Sequence, residues 1–551
     1  MEQGDHPNIT NERSYTRPAG SDLNHRHGKI GRTVLLTESV IVDGSSLTIQ
    51  RLVCVARLRQ RVELAEESIH RIEKSRSALE QLVREGKTIY GVTTGFGALS
   101  NTLITSEQAS ELQVNLLRSH ACGVGENLQT DVVRGLMLLR LNTLAKGFSG
   151  VRLVVPQLIQ RFLNEGIHPV IPSRGSVGAS GDLAPLSHMA LTLIGEGFVE
   201  FRGELSPASE ALKKTGLAPL SLSMKEGLAL NNGTQMSTAT AALVVHDAEN
   251  LLSIAEVAAA TSIEALHGHA EAFDSRIQEA RPYKGQVDSG HNLRSILSGS
   301  HLLKGKVTGE HEAPHDAYSL RCVPQVMGAA REAVTFAKRL VEVEMNSATD
   351  NPLIFPEGPD ALSGGNFHGQ TVGMAMDVTS IALATVANIS ERRVFRLLDP
   401  KLSNGLPAFL VGATEFRGLN SGLMALQYTA AALASENKVL AHPATVDTIP
   451  TSGDMEDFVS MSPTAGLKAR AILQNAQRVL AIELICAAQG LDFRGPDRCG
   501  RGTRAAYMKI REKIPMLKED RPLSGFIEVV AKIVADGSLL ESVESSLQPK
   551  A

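Results

Sequence analysis

Five segments, 235–270, 325–347, 369–398, 420–441 and 464–490, are long, rich in Ala and Leu and largely free of proline. Uninterrupted runs of that length read as helices, because strands end after roughly 4–8 residues. In the last segment Ile472, Leu473, Ala476, Val479 and Leu480 fall on one helical face, and Ile482, Leu484, Ile485 and Cys486 widen it. A helix that is apolar on most sides is buried among other helices. Small Ala side chains let such helices approach closely, so the expected fold is mainly α: a long up-and-down helical bundle of a kind that subunits can share.

The upstream half is more varied. Residues 1–32 are polar and rich in Gly, Asn and charge, which predicts a disordered tail; with no apolar core it does not read as a signal peptide. Residues 52–85, 106–120 and 128–165 have helical spacing. Between them KTIYGVTTGFGALSN, 87–101, carries three glycines and reads as a mobile loop. HPVIPS is expected to be extended, LAPLSHMALTLIGEG a buried helix and FVEFRGEL a small hairpin. The expected division is an N-terminal domain over 33–222 and the bundle with C-terminal helices over 223–551. No internal repeat and no βαβ alternation is visible, and no apolar run reaches membrane-spanning length. The net charge is −4, Trp is absent and no basic face stands out, which argues against nucleic-acid binding. Five scattered cysteines, never spaced C-x-x-C, fit a reducing cytoplasm and no Cys-based metal site.

Several motif candidates fail. HEAPH, His311 to His315, matches a zinc-peptidase signature, but Pro314 interrupts the helix that would set both imidazoles on one face. A zinc peptidase is therefore a distant alternative, and no metal is expected. GFGALS lacks the third glycine of a dinucleotide loop, GSHLLKGKV has the wrong spacing for a phosphate loop, and GASGD has Asp182 where a nucleophile elbow needs glycine.

Ala179-Ser180-Gly181 offers chemistry of its own. Gly181 has no Cβ, so its amide nitrogen can reach the Ala179 carbonyl and close a five-membered ring. Loss of that water and of the Ser180 hydroxyl leaves a methylidene-imidazolone (MIO), an electrophile made from backbone and one side chain. The plainer role for this stretch is a turn in which Ser180 or Asp182 caps the following helix.

The surrounding GSVGASGDLAPLSHMA, 175–190, resembles the signature of the aromatic amino acid ammonia-lyases and aminomutases, which build MIO from Ala-Ser-Gly. The resemblance runs from about residue 35 to the C-terminus. It includes IYGVTTGFG at 89–97, RSHACGVGE at 118–126, LALNNGTQ at 228–235, AYSLRCVPQVMG at 317–328, NSATDNPL at 346–353, SGGNFHG at 363–369 and SENKVLAHPATVDTIPTS at 435–452. It implies a mainly helical homotetramer whose active sites draw on three subunits, with an autocatalytic MIO and no external cofactor. Tyr90 matches the loop acid/base. Tyr318 would hydrogen-bond near the amine adduct, and Arg321 would fork onto the substrate carboxylate. Asn232 matches the residue that holds the MIO carbonyl, and Phe367 the aromatic packed on the ring.

His120 occupies the substrate-selectivity position, and Glu456 matches a Glu typical of histidases, suiting a ring that donates N–H. Two residues depart from the pattern: His315 where Gln is usual and Phe458 where histidases carry His. The implied reaction is elimination of ammonia from L-histidine to trans-urocanate. A tyrosine or phenylalanine lyase, or an aromatic 2,3-aminomutase, is the alternative.

Overall fold

The computed structural model describes residues 38–105, 107–305, 315–412 and 418–548. The expected tail over 1–32 lies outside them, as does all of HEAPH except His315. The chain from Val40 onward forms a unit of its own. Its first strands, β1 (Val40–Val42) and β2 (Val62–Leu64), pair in parallel around α1 (Ile49–Leu58), a miniature βαβ unit that the sequence reading lacked. Three-residue strands are too short to show a period. The one or two helices expected over 52–85 are two: Arg59 takes φ +56° and ends α1 before α2 (Glu66–Arg84) begins.

After α3 (Ala109–His120) and β3 (Val124–Asn127) come α4 (Thr130–Ala145) and α5 (Val154–Glu165). Gly147 and Gly150, at φ +78° and +65°, separate the two helices within the helically spaced stretch 128–165. HPVIPS supplies β4 (Ile167–Pro169) and β5 (Pro172–Arg174), followed by α6 (Leu183–Leu193). The expected hairpin is β6 (Phe198–Phe201) with β7 (Glu204–Pro207), and β4 pairs onto its other edge. α7 (Ala208–Thr215) and α8 (Glu226–Asn231) lead into the bundle.

Each Ala-rich segment forms a helix: α9 (Gln235–Ala265), then, after the short α10 (Ser275–Glu279), α11 (Lys284–Ile296) and α12 (Tyr318–Arg321), α13 (Val323–Met345), α14 (Gln370–Leu398), α15 (Met424–Leu440) and α16 (Ser462–Arg494). A hairpin of β8 (Leu353–Phe355) and β9 (Asp360–Leu362) interrupts the series, and α17 (Arg501–Arg511), α18 (Ser524–Ala535) and α19 (Ser538–Leu547) close it. α9 is the axis, packed against α4, α13, α14 and α16. Ala258, Ala259 and Ala260 on three successive faces are all 0% exposed, so the C-terminal part of the helix is enclosed all round.

By length and composition α14 and α16 could each cross a bilayer, which the sequence reading did not expect, and both are mostly buried within the bundle. A polar lock joins them. Glu483 of α16 accepts both arms of Arg393 of α14, at 2.5 and 2.8 Å, together with the hydroxyls of Ser262 and Ser390. With all its oxygens engaged, this buried carboxylate fixes the register of three helices.

Candidate active site

The turn that carries Ala179-Ser180-Gly181 runs from β5 to α6 and needs glycine for two reasons. Gly178 and Gly181 adopt φ +74° and +73°, where L side chains are disfavoured. Nor is there room for a side chain: a Cβ on Gly178 would collide with Ser460 Oγ, and one on Gly181 with the Gly233 carbonyl. The turn is pinned on three sides. Ser176 Oγ donates to Gly181 O at 3.0 Å; Asp182 N donates to Gly233 O at 2.7 Å; Met461 N and Ser460 Oγ donate to Val177 O and Gly178 O at 2.9 and 3.0 Å.

Asp182 does not cap its own helix, as the sequence allowed. Its side chain accepts from Ser237 N and Oγ, both at 2.8 Å, and so caps the first turn of α9. Burial pushes its carboxyl up to about 6. The folded chain thus holds this proton more tightly than the unfolded one does. The stabilisation is complete below the unfolded value of 3.8 and is lost as pH rises through about 6. The stability lead of wild type over Asp182→Asn should therefore shrink by on the order of 3 kcal/mol between pH 4 and pH 7, read from urea midpoints of the two proteins.

Two candidate residues, Asn232 and Glu456, converge on Ser180. Asn232 Nδ2 donates to the Ser180 carbonyl at 3.3 Å. Ser180 Oγ donates to Glu456 Oε1 at 2.6 Å, and Thr451 Oγ1 donates to Glu456 Oε2 at 2.7 Å. Ala179 packs with Val459 and Met461. The Ser180 carbonyl is the one an imidazolone ring would retain, so Asn232 already sits on the oxygen that ring would present. Asn232 Oδ1 is buried without a partner among the described residues, an acceptor open to a ligand. The crowding at Gly181, the small buried Ala179 and this placement of Asn232 fit the MIO precursor.

Asn232 is held from behind. Arg140 Nη1 donates to its carbonyl at 2.6 Å. Arg140 is wholly buried, and burial pushes its guanidinium down to about 10, offset in part by Asp350. Asp350 also accepts from Lys225 Nζ at 2.9 and 3.0 Å, and both partners of that pair are 0% exposed. Burial lowers the Lys225 ammonium even so. The sequence reading passed over Arg140, Lys225 and Asp350, which lie far apart in the chain; Arg140, a cation inside the apolar run LMLLRLNTLA, was the available signal.

Tyr90 lies in a loop whose backbone is bonded within itself, through Gly95 N to Thr102 O and Ile104 N to Thr93 O. Its Oη accepts from Gly97 N at 3.1 Å, and its ring meets Phe96 edge-on at 6.2 Å. Gly97 abuts Ser452: a Cβ there would sit 2.6 Å from Ser452 Oγ. The Tyr90 loop, the 451–456 turn and Ser180 therefore follow one another in space. His120 ends α3 with Nδ1 3.0 Å from Leu116 O and 2.9 Å from Ser119 Oγ, the helix-ending role a lone His often takes. The segment after it packs on the turn, since a Cβ on Gly175 would lie 3.0 Å from Gly123 Cα.

The remaining candidates stand apart. Tyr318 is 70% exposed, and the Arg321 guanidinium lies 4.7 Å over its ring, so the two do share a helical face. Arg321 Nε is buried without a partner among the described residues. His315 is exposed. Phe367 sits on the loop where His368 stacks on Phe458 at 5.9 Å and Gly369 abuts Ser462. Among the described residues none of Tyr318, Arg321, His315 and Phe367 hydrogen-bonds to Ser180, Asn232 or Glu456. No cluster of metal-ligating side chains occurs among the described residues.

The family model "aromatic amino acid lyase" matches residues 47–512. A histidine ammonia-lyase of Alkaliphilus oremlandii (strain OhILAs) is 50% identical over 511 residues, 93% of this chain and 99% of its own. The crystal structure of a tyrosine aminomutase from Streptomyces globisporus superposes with a TM-score of 0.89 at 39% identity, covering 93% of this chain and all of that one. A histidine ammonia-lyase from Trypanosoma cruzi gives 0.84 at 39% identity, covering 92% and 95%.

Proposed function

Because this chain belongs to the aromatic amino acid lyase family, a carbon–nitrogen lyase lineage, we propose that it eliminates ammonia from L-histidine to give trans-urocanate. The observation that carries the reading is Glu456, a carboxylate set against Ser180 and suited to a ring that donates N–H. When formed from Ala179, Ser180 and Gly181, the MIO group supplies an electrophilic carbon for the substrate amine, and no external cofactor is needed. Asn232 Nδ2 holds the carbonyl oxygen retained from Ser180. Tyr90 Oη takes the β-proton, and the loop around it keeps water away. Arg321 forks onto the substrate carboxylate, with Tyr318 beside it. His120 and Phe367 line the ring pocket, and His315 borders it.

The exposed Tyr318, with the Arg321 guanidinium over its ring, supports a homotetramer in which the two complete another subunit's site. The scattered cysteines support a cytoplasmic setting. A second reading has its own support: Phe458, 57% exposed and two residues from Glu456, is an apolar wall suited to a phenyl or phenol ring. That reading makes the enzyme a tyrosine or phenylalanine lyase, or an aminomutase.

The product spectrum on L-histidine, L-tyrosine and L-phenylalanine separates the two. Urocanate alone supports the first; coumarate, cinnamate or a β-amino acid with histidine left intact supports the second. In either case Tyr90→Phe should lower kcat by about 10²–10⁴-fold, the usual share of a positioned proton carrier, while the protein still matures at Ser180 by mass.

A further inference from the structure

Glu456 has two carboxylate oxygens, and each has its own donor. Oε1 faces the Ser180 hydroxyl at 2.6 Å and Oε2 the Thr451 hydroxyl at 2.7 Å. Thr451 and Glu456 also face each other across a single antiparallel bridge, with Thr451 N to Glu456 O at 2.9 Å and Glu456 N to Thr451 O at 3.3 Å. The turn between them is tight, with Ser452, Gly453 and Asp454 at φ +53°, +60° and +65°. The bridge fixes the backbone of Glu456 but leaves its side-chain torsions free. Glu456 is only partly buried, so solvent competes for its carboxylate. Of its two side-chain partners, Ser180 is the one consumed when the ring forms; the Thr451 hydroxyl remains.

We propose that Thr451 is the positioning residue for Glu456, holding Oε1 first on the Ser180 hydroxyl during maturation and then on the ring N–H of the substrate. The second half rests on the histidine reading; the first does not. Loss of water from Ser180 breaks the Cβ–Oγ bond and turns the Cα–H electron pair into the Cα=Cβ bond. The Cα proton joins the departing hydroxide, so water alone leaves. Glu456 touches the departing oxygen and is placed to pass that proton. Once the hydroxyl is gone, Oε1 is vacant in the same direction, and a ring N–H takes its place.

The test compares full-length wild type, Thr451→Val and Thr451→Ser. Val keeps the branched shape and removes the donor, and Ser restores it. Intact mass of freshly purified protein should show a several-fold smaller fraction lighter by two waters in the Val variant. Per matured site, KM for L-histidine should rise about tenfold with kcat within about threefold. Inhibition by L-phenylalanine, whose ring has no N–H, should be unchanged, and Ser should restore both maturation and KM. A Val variant that matures and binds histidine like wild type overturns the proposal, as does one that weakens histidine and phenylalanine equally. If mature wild type ignores histidine, the substrate reading falls. Maturation of Val against Ser then decides the role of Thr451 alone.

Discussion

Ser180→Ala should lower turnover by roughly 10³-fold or more while leaving fold and assembly intact, and its mass should match the uncyclised, unmodified sequence. The amino group of an amino acid is a poor leaving group, and the electrophile proposed to capture it is made from Ser180 itself. The substitution removes one hydroxyl that donates to Glu456 Oε1 and nothing else that holds the turn. The pins come from Ser176, Gly233, Ser460 and Met461, all untouched. Melting temperature and oligomeric state should therefore stay near those of wild type. A variant that keeps wild-type turnover would remove the basis of the whole reading, whereas an inactive variant that also unfolds would assign Ser180 a structural task.

Asp350→Ala should cost about 3–5 kcal/mol of stability, because it strands two buried cations at once. Lys225 and Arg140 both lie out of solvent, and Asp350 is the carboxylate that faces each. Lys225 also takes φ +72°, a left-handed conformation that its ion pair helps to hold. The damage should reach the chemistry, since Arg140 grips the Asn232 carbonyl and Asn232 holds Ser180. The expected result is a much lower denaturant midpoint with poor soluble yield. Pairing Asp350→Leu with Lys225→Met should recover part of the loss, since one stranded charge is then gone. As a contrast, Glu357→Ala breaks the pair with Lys74, where the side chains are 85% and 60% exposed, and should cost less than about 1 kcal/mol.

The bundle was legible because its signal is redundant: about thirty residues each, with no proline beyond the first turn, leave α9, α14 and α16 no alternative. Short elements carry no such redundancy. β1, β2, β8 and β9, three residues each, are set by partners rather than by pattern. The ends of α1 and α4 depend on single residues in or near the left-handed region. At the site, Ser180, Asn232 and Glu456 were readable as motif members, and the structure brings them together. What supports them was not readable. Asp182 looked like a cap for its own helix and caps another; Thr451, one letter of a quoted motif, bonds a carboxylate. Side-chain partners of this kind are fixed by packing between distant segments, which leaves no mark on local sequence.

The partners of Ser180 stand 52 and 276 positions away along the chain, at Asn232 and Glu456. A ribosome must pass the later codon, and the bundle must assemble, before the tripeptide is squeezed into its reactive shape. On the proposed maturation, the amine trap is thus timed by tertiary structure. By the same proposal, a half-made or misfolded copy keeps an ordinary serine, and the electrophile arises only inside a finished enclosure.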